Sequence, residues 1–412
     1  MSIADEAFAL SNALIRIYKV NQGEIVYENF YVSDEEGKTP SIPLYAPDIA
    51  LSLEEESDIR PYETYNVEMR ASGYELMEIQ NVQVFAEESS YLPVHPIPTR
   101  RQVFEGRGVS NIPDHHLLTN YGGNNQGQTP HNNGRILSQI VIPTYITVHL
   151  GRPQSSAENV TVPFLYYLKN VASSEIYPTW PYEALKANIW AQASLALNRV
   201  YTEWYPSQGY DFDITNSTAF DQAFVKDRNI FSSVAEIVDE VFNQYIQKSN
   251  YQEPYYAEYC DGKIADCPGM KQWGTLTLAN QGYTAIQILR YYYGNDIEIR
   301  ESNNIQDITA SYPGVLSLGS SGQEVLELQE FLNAIAVNYP AIPIILPVDG
   351  VFGAQTEAAV RVFQQQFDLT VDGRVGKATW YKVSYIYAAV RKLAELQSIG
   401  RIEDLYSGEW PG

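Results

Sequence analysis

The sequence predicts a multidomain α+β chain: an N-terminal β-sandwich, a central α+β domain and a C-terminal three-helix module. Three observations predict it. Short apolar runs broken by turn signals fill residues 9–100. A long apolar series at helical spacing starts at Pro181. A block of residues then repeats between 348 and 379 with an offset of 23 at every position.

In the first part, Ala13–Tyr18, Ile25–Val32, Tyr65–Arg70 and Val82–Phe85 read as strands. Asn21-Gln22-Gly23, Asp34 to Gly37 and Ser72-Gly73-Tyr74 supply the turns between them. Regular spacing of short strands suggests a small sandwich over 1–103. No catalytic cluster is visible there. This segment is acidic, with 18 Asp and Glu against 6 Lys and Arg in the first hundred residues. Residues 104–141 mix Gly106, Gly108, Gly122, Gly123, Gly127 and Gly134 with Asn124, Asn125, Gln126, Asn132 and Asn133, and read as a flexible linker open to proteolysis.

The central segment, 142–312, opens with a strand over Tyr145–Leu150. Pro181 suits a helix start because its missing N–H is not needed there. Ala184, Leu185, Ile189, Ala193, Leu197, Val200 and Trp204 follow on one helical series. Further helices are expected over 234–247, 274–280 and 286–292. In the C-terminal segment, 313–396, a helix over 325–335 precedes the repeat, and 397–412 is a tail. Val348-Asp349-Gly350, Gly353 and Thr356 recur as Val371-Asp372-Gly373, Gly376 and Thr379. Each copy sets an Asp-Gly turn before a threonine able to cap a helix.

Composition excludes some partners. A net charge of -23 repels phosphate, which argues against nucleic acid and against an anionic membrane. No stretch approaches the roughly 20 apolar residues of a membrane span. Residues 1–20 lack the basic start and apolar run of a secretory leader, so synthesis without a conventional export tag is expected. Two cysteines, Cys260 and Cys267, are too few for a disulfide framework. The 32 tyrosines suit sugar stacking, although packing accounts for most of them.

Two segments resemble known families. Leu318 to Gly322, Val325, Leu328-Gln329 and Leu332-Asn333, followed by Val348 to Phe352, Ala359-Val360, Phe363-Gln364 and Val371 through Thr379-Trp380, resemble a three-helix peptidoglycan-binding domain. Phe352, Phe363 and Trp380 are candidates for its groove or its core, with core the better reading of Phe363. Val171 to Pro178, Trp180-Pro181 and Glu183 to Ala187 are similar to the catalytic motif of the stage II sporulation protein D family. Asp213 to Asn216, and Gly269 to Gly274 with Ala279 to Gly282, resemble later elements of it. With the flanking segments, the whole arrangement resembles the cortex-lytic enzymes of clostridial spores.

That resemblance implies a lytic transglycosylase that cuts cortex peptidoglycan strands, with Glu175 as acid and then base. It also implies a spore location, substrate contacts at Asp213, Thr215, Gln272, Trp273 and Trp380, and a zymogen activated by a subtilisin-like germination protease, here by cleavage between about Gly122 and Val141. Lys271 stands where the family commonly has serine, which puts any serine role in doubt. A single carboxyl suffices chemically because an internal hydroxyl replaces the water that hydrolytic glycosidases must activate. Such an acid needs a pKa raised by burial. The opposing reading makes Glu175 a helix-start residue favoured by the dipole. Glu183 is a decoy for a solvated face. No cofactor is required. The resemblance leaves a structural zinc at Cys260 and Cys267 open, beside a disulfide or two free thiols, since no histidine lies near them in sequence. A zinc amidase and a non-catalytic wall-binding protein are the competing functions.

Overall fold

The computed structural model describes residues 10–35, 37–57, 59–97, 99, 107–118, 139–249, 251–306, 312–387 and 390. The described residues between 10 and 306 gather into one compact unit, and those from 312 onward belong to another. Among the described residues no helix is long and apolar enough to cross a membrane.

The N-terminal strands form one five-stranded sheet instead of a sandwich. β1 (Leu14–Asn21), β2 (Glu24–Val32), β3 (Tyr62–Arg70), β4 (Leu76–Phe85) and β6 (Arg107–Asn111) lie in the order β2-β1-β3-β4-β6. The short β5 (Ser90–Tyr91) pairs elsewhere, with β10 (Ile230–Phe231) of the central region. The apolar face of the sheet carries Met69, Met77, Ile79 and Val82. Leu92, Val94, Ile112 and Val225 cover it. Pro93 and Pro96 lie in that covering segment and cannot donate ladder bonds, so irregular chain stands where a second sheet would be. Arg16 bridges Glu28 and Glu68 on the other face, and Arg70 also pairs with Glu68.

Residues 107–118, expected within the linker, are β6 and a turn that buries Ile112, His115 and Leu117. Enough apolar side chains sit in this stretch to hold it against the rest. The cleavage window lies outside the described residues up to 138.

In the central region β7 (Tyr145–His149) runs between β8 (Asn159–Pro163) and β9 (Ile214–Thr215). α1 (Phe164–Glu175) follows β8 at once. α2 (Tyr182–Tyr201) begins after Pro181, as the sequence predicts, and is buried along most of its length. Ala184, Ala187, Ala191, Ala193 and Ala196 are all buried on it, and their small side chains let α1, α3 (Ser232–Val241), α4 (Gln272–Asn280), α5 (Ala285–Tyr293) and β11 (Gln244–Lys248) approach it.

The helix expected over 234–247 stops at Val241, and β11 follows. Asn243 is fully buried and its Nδ2 donates to the Ser302 carbonyl at 3.0 Å, which turns the chain into pairing with β14 (Ile297–Glu301). β12 (Tyr259–Cys260) and β13 (Met270–Lys271) pair in parallel.

In the C-terminal unit the 23-residue repeat has a shared wiring. α6 (Gln323–Ala336) presents Gln329, whose Nε2 donates to Asp349, Val351 and Thr356, while its Oε1 accepts from the N–H groups of Asp349 and Gly350. α7 (Ala354–Gln366) presents Gln364, which binds Asp372, Gly373, Arg374 and Thr379 in the same manner. Gly350 and Gly373 have φ of 71° and 69°, left-handed values that the Asp-Gly turns need. Residues 377–387 are helical as well. Phe352, Phe363 and Trp380 are all enclosed. At 1% exposure Trp380 belongs to the core of this unit and not to a groove, which corrects the substrate-contact expectation for it.

Candidate active site

Glu175 is the last residue of α1, and its side chain is 1% exposed. The helix-start reading is therefore overturned. The C-terminal end of a helix carries partial negative charge, which disfavours a carboxylate there. Three donors nevertheless surround it. The Ala223 N–H donates to Oε1 at 2.7 Å, the Tyr259 hydroxyl to Oε2 at 2.6 Å and Gln192 Nε2 to Oε2 at 2.9 Å. Burial raises the pKa and the three donors lower it. Burial wins, and the group is pushed up to about 7.

Each donor is held by its own support. Gln192 lies on α2 with its Oε1 buried and without a hydrogen-bond partner. Tyr259, on β12, accepts from Gln222 Nε2 at 2.8 Å, and the Gln222 carbonyl accepts from the Tyr167 hydroxyl at 2.9 Å. Burial holds both tyrosines above the usual phenol range, so both remain donors. Ala223 is fixed from both sides. Asn170 clamps the backbone of Val225 through its amide, at 2.8 and 2.9 Å. Asp221 is ion-paired with Arg199 at 2.7 Å and accepts from Tyr205, the Thr215 N–H and the Thr215 hydroxyl.

The predicted contact residues fall into two groups. Thr215 is fully buried and spends its hydroxyl on Asp221, so it positions the Gln222-Ala223 segment. Asp213 accepts the Thr147 N–H at 2.8 Å and ties β9 to β7, and burial raises its pKa. These bonds assign both residues to scaffolding. Gln272 and Trp273 open α4, directly after the strand that pairs with β12. Gln272 is fully buried with neither amide atom bonded, and the Trp273 indole N–H is also unpartnered. The Trp273 ring meets Trp180 at 5.1 Å and Tyr177 at 5.8 Å, which joins it to the loop after Glu175. Glu183 is not on a solvated face, since its carboxylate caps α5 at the Ala285 N–H.

Cys260 and Cys267 are joined as a disulfide. The bond consumes both thiolates that a zinc would need. Among the described residues no group of three His, Cys, Asp or Glu side chains gathers as a metal site. Sequence reasoning missed Gln192, Gln222, Tyr259 and Asn170. One signal was available, because Asn188 and Gln192 place amides four residues apart within the apolar series of α2. Tyr259 had none, since long-range pairing alone brings it to Glu175.

The motif around Glu175 is covered by the preceding part of the chain. The Trp180 indole donates to the Ser52 carbonyl at 2.9 Å, and Thr179 donates to the Ser52 hydroxyl at 2.7 Å. The His116 N–H donates to the Ser174 carbonyl at 3.2 Å, and the His115 ring lies 4.7 Å from Tyr177. Phe85 meets both Tyr177 and Phe231.

Residues 321–383 match the family model described as putative peptidoglycan binding domain. The C-terminal unit carries a peptidoglycan-binding domain. Its interior holds the Gln329 and Gln364 clamps among Phe352, Phe363 and Trp380. Two curated relatives share short stretches with the chain. A zinc D-Ala-D-Ala carboxypeptidase of Streptomyces albus G is 41% identical over 73 residues, 18% of this chain. An uncharacterized protein in the bpoA1 3' region of Kitasatospora aureofaciens is 43% identical over 72 residues, 17% of this chain. The chain spans 27% and 56% of the lengths of these relatives. The solved SleB N-terminal domain is 37% identical, matched over 19% of this chain and 99% of that one, with a TM-score of 0.17. At that TM-score the superposition carries no argument about the fold.

Proposed function

We propose that this chain is a lytic transglycosylase of spore cortex peptidoglycan, akin to the clostridial enzyme SleC, with Glu175 as its single acid and base. One observation carries the reading: a buried carboxyl at the end of α1, within the resembling motif, with its pKa pushed up to about 7. Near neutrality such a group still holds a proton to give. In the first half of the reaction the carboxyl protonates the glycosidic oxygen as the bond to muramic C1 breaks. In the second it takes the proton of the C6 hydroxyl, whose oxygen closes the 1,6-anhydro ring. Tyr259, Gln192 and the Ala223 N–H are aimed at the carboxylate that exists between the two halves. Gln272 and Trp273 bring unpartnered polar atoms for sugar or amide groups. The peptidoglycan-binding domain holds the polymer near the catalytic unit and raises its local concentration.

The reading includes a zymogen located at the spore. Ser52, His115 and His116 close over the residues flanking Glu175, so glycan entry requires that cover to shift. Cleavage in the 122–141 window by a subtilisin-like protease would release the covering segment from its tether. Glu175→Gln should abolish loss of turbidity in cortex suspensions while the chain still binds the wall. Unchanged lysis by that variant removes the carboxyl from the mechanism. Equal activity of intact and cut chains removes the zymogen. Release of free peptides instead of glycan fragments would identify the competing amidase.

A further inference from the structure

We infer that Gln192 is the positioning residue that follows the proton of Glu175, donating through its nitrogen to the carboxylate and accepting through its oxygen from the acid. The inference rests on the reading of Glu175 as acid and base. Oε1 meets the Ala223 N–H, a group that can only donate. Oε2 meets Tyr259 and Gln192. Tyr259 receives the N–H of Gln222, so its own proton is directed to Glu175. Every one of these contacts suits the ionised state, whereas the acid needs an acceptor.

Gln192 can supply it. A primary amide keeps its outline when turned by half a revolution about its last side-chain bond, and the turn exchanges oxygen for nitrogen. Gln192 Oε1 is buried and bonded to nothing, so the turn breaks no other hydrogen bond. Gln222 cannot do the same, because its Oε1 is taken by the Tyr167 hydroxyl and its Nε2 serves both the Tyr259 hydroxyl and the backbone carbonyl of Gln192. In the acid state Glu175 Oε2–H donates to Gln192 Oε1. As that proton passes to the leaving glycosidic oxygen, the amide turns and Nε2–H meets the new carboxylate. When the carboxylate takes the C6 hydroxyl proton, the amide turns back.

Two tyrosines, two histidines and two ion pairs surround the same point. Tyr167 on α1 and Tyr259 on β12 are held above their usual range by burial. His115 and His116, which cover the end of α1, are held below theirs by burial. Arg199 pairs with Asp221, and Lys169 on α1 pairs with Asp239 on α3. The proton of Glu175 is thus the event near neutrality that the amide has to follow.

The test uses the full chain labelled with 15N-glutamine. The Gln192 side-chain amide, assigned by its loss in Gln192→Met, should titrate with the midpoint of Glu175 and become flat in Glu175→Gln. A Gln192 amide that stays unchanged between about pH 5 and 9 overturns the inference, and this readout needs no active variant. In kinetics, Gln192→Met should lower kcat by about 10- to 100-fold, the worth of one hydrogen bond to a charged group, with KM nearly unchanged. Gln192→Glu, whose protonated carboxyl can also donate and accept, should recover activity on the acid side alone. A Met variant with unaltered kcat and pH profile, in an enzyme that Glu175→Gln inactivates, overturns the role of Gln192 and leaves that of Glu175 standing. An enzyme indifferent to Glu175→Gln overturns both.

Discussion

Replacing Glu175 with glutamine should favour the folded catalytic unit by about 2–3 kcal/mol more at pH 8 than at pH 5. The carboxyl titrates from 4.5 when exposed and is pushed up to about 7 in the fold. A raised pKa favours the folded state while the group is protonated, and that advantage is lost as pH rises from the lower value through the upper. Each unit of difference is worth about 1.4 kcal/mol, so ionisation costs the fold on the order of 3 kcal/mol once pH exceeds about 8. Some of that cost is already present at pH 5, which leaves about 2–3 kcal/mol between the two conditions. Glutamine has no charge to bury. Its oxygen can accept the Ala223 N–H, and its nitrogen can donate to Gln192 Oε1 once that amide turns, while the misfit of its NH2 group with the Tyr259 hydroxyl is the same at both pH values. Urea unfolding followed by tryptophan emission at both pH values measures the difference, because Trp180, Trp190 and Trp273 are buried in this unit. Parallel pH dependence in the two proteins would show that Glu175 is not the group held protonated by the fold.

Further outcomes follow from the same geometry. Tyr259→Phe removes the shortest donor to the carboxylate, so the alkaline limb of the kcat/KM profile should move up by about one pH unit or more, and an unmoved limb contradicts the bond. Asp221→Asn breaks a buried pair with Arg199 and should destabilise the unit by about 3–5 kcal/mol in the same urea titration, whereas a change within error would mean that Thr215 and Tyr205 hold the segment alone. Replacing Cys260 and Cys267 together with serine opens a short loop and should cost about 2 kcal/mol in stability. If the reduced parent chain binds zinc by calorimetry and that variant does not, the metal reading of the cysteines returns.

Local pattern carried much of this molecule. Strands β1 to β4, the start of α2 at Pro181 and the two Asp-Gly repeats are visible in the sequence because alternation, proline and glycine act over a few residues. The repeat could even be placed at residue level, although its glutamine clamps became clear only from the fold. What the sequence hid was long-range. A single sheet replaced the sandwich because the segment with Pro93 and Pro96, together with Val225, covers its apolar face. The chain turned to strand after Val241 because Asn243 bonds the Ser302 carbonyl 59 residues away. Glu175 could be singled out from its motif, but its burial and its three donors come from residues 17 to 84 positions distant. Thr215 and Asp213 looked like contact residues because polar side chains near a motif invite that reading, and their hydrogen bonds show them supporting the backbone.

The most direct measurement is the chemistry of the new chain ends. Purified cortex peptidoglycan digested with the protease-cut chain should give, by mass spectrometry, fragments ending in 1,6-anhydromuramic acid, and the Glu175→Gln chain should give none. Reducing muramic or glucosamine ends would mean that water, and not the C6 hydroxyl, completes the reaction, and a lone carboxyl acting as acid and then base would no longer describe this site.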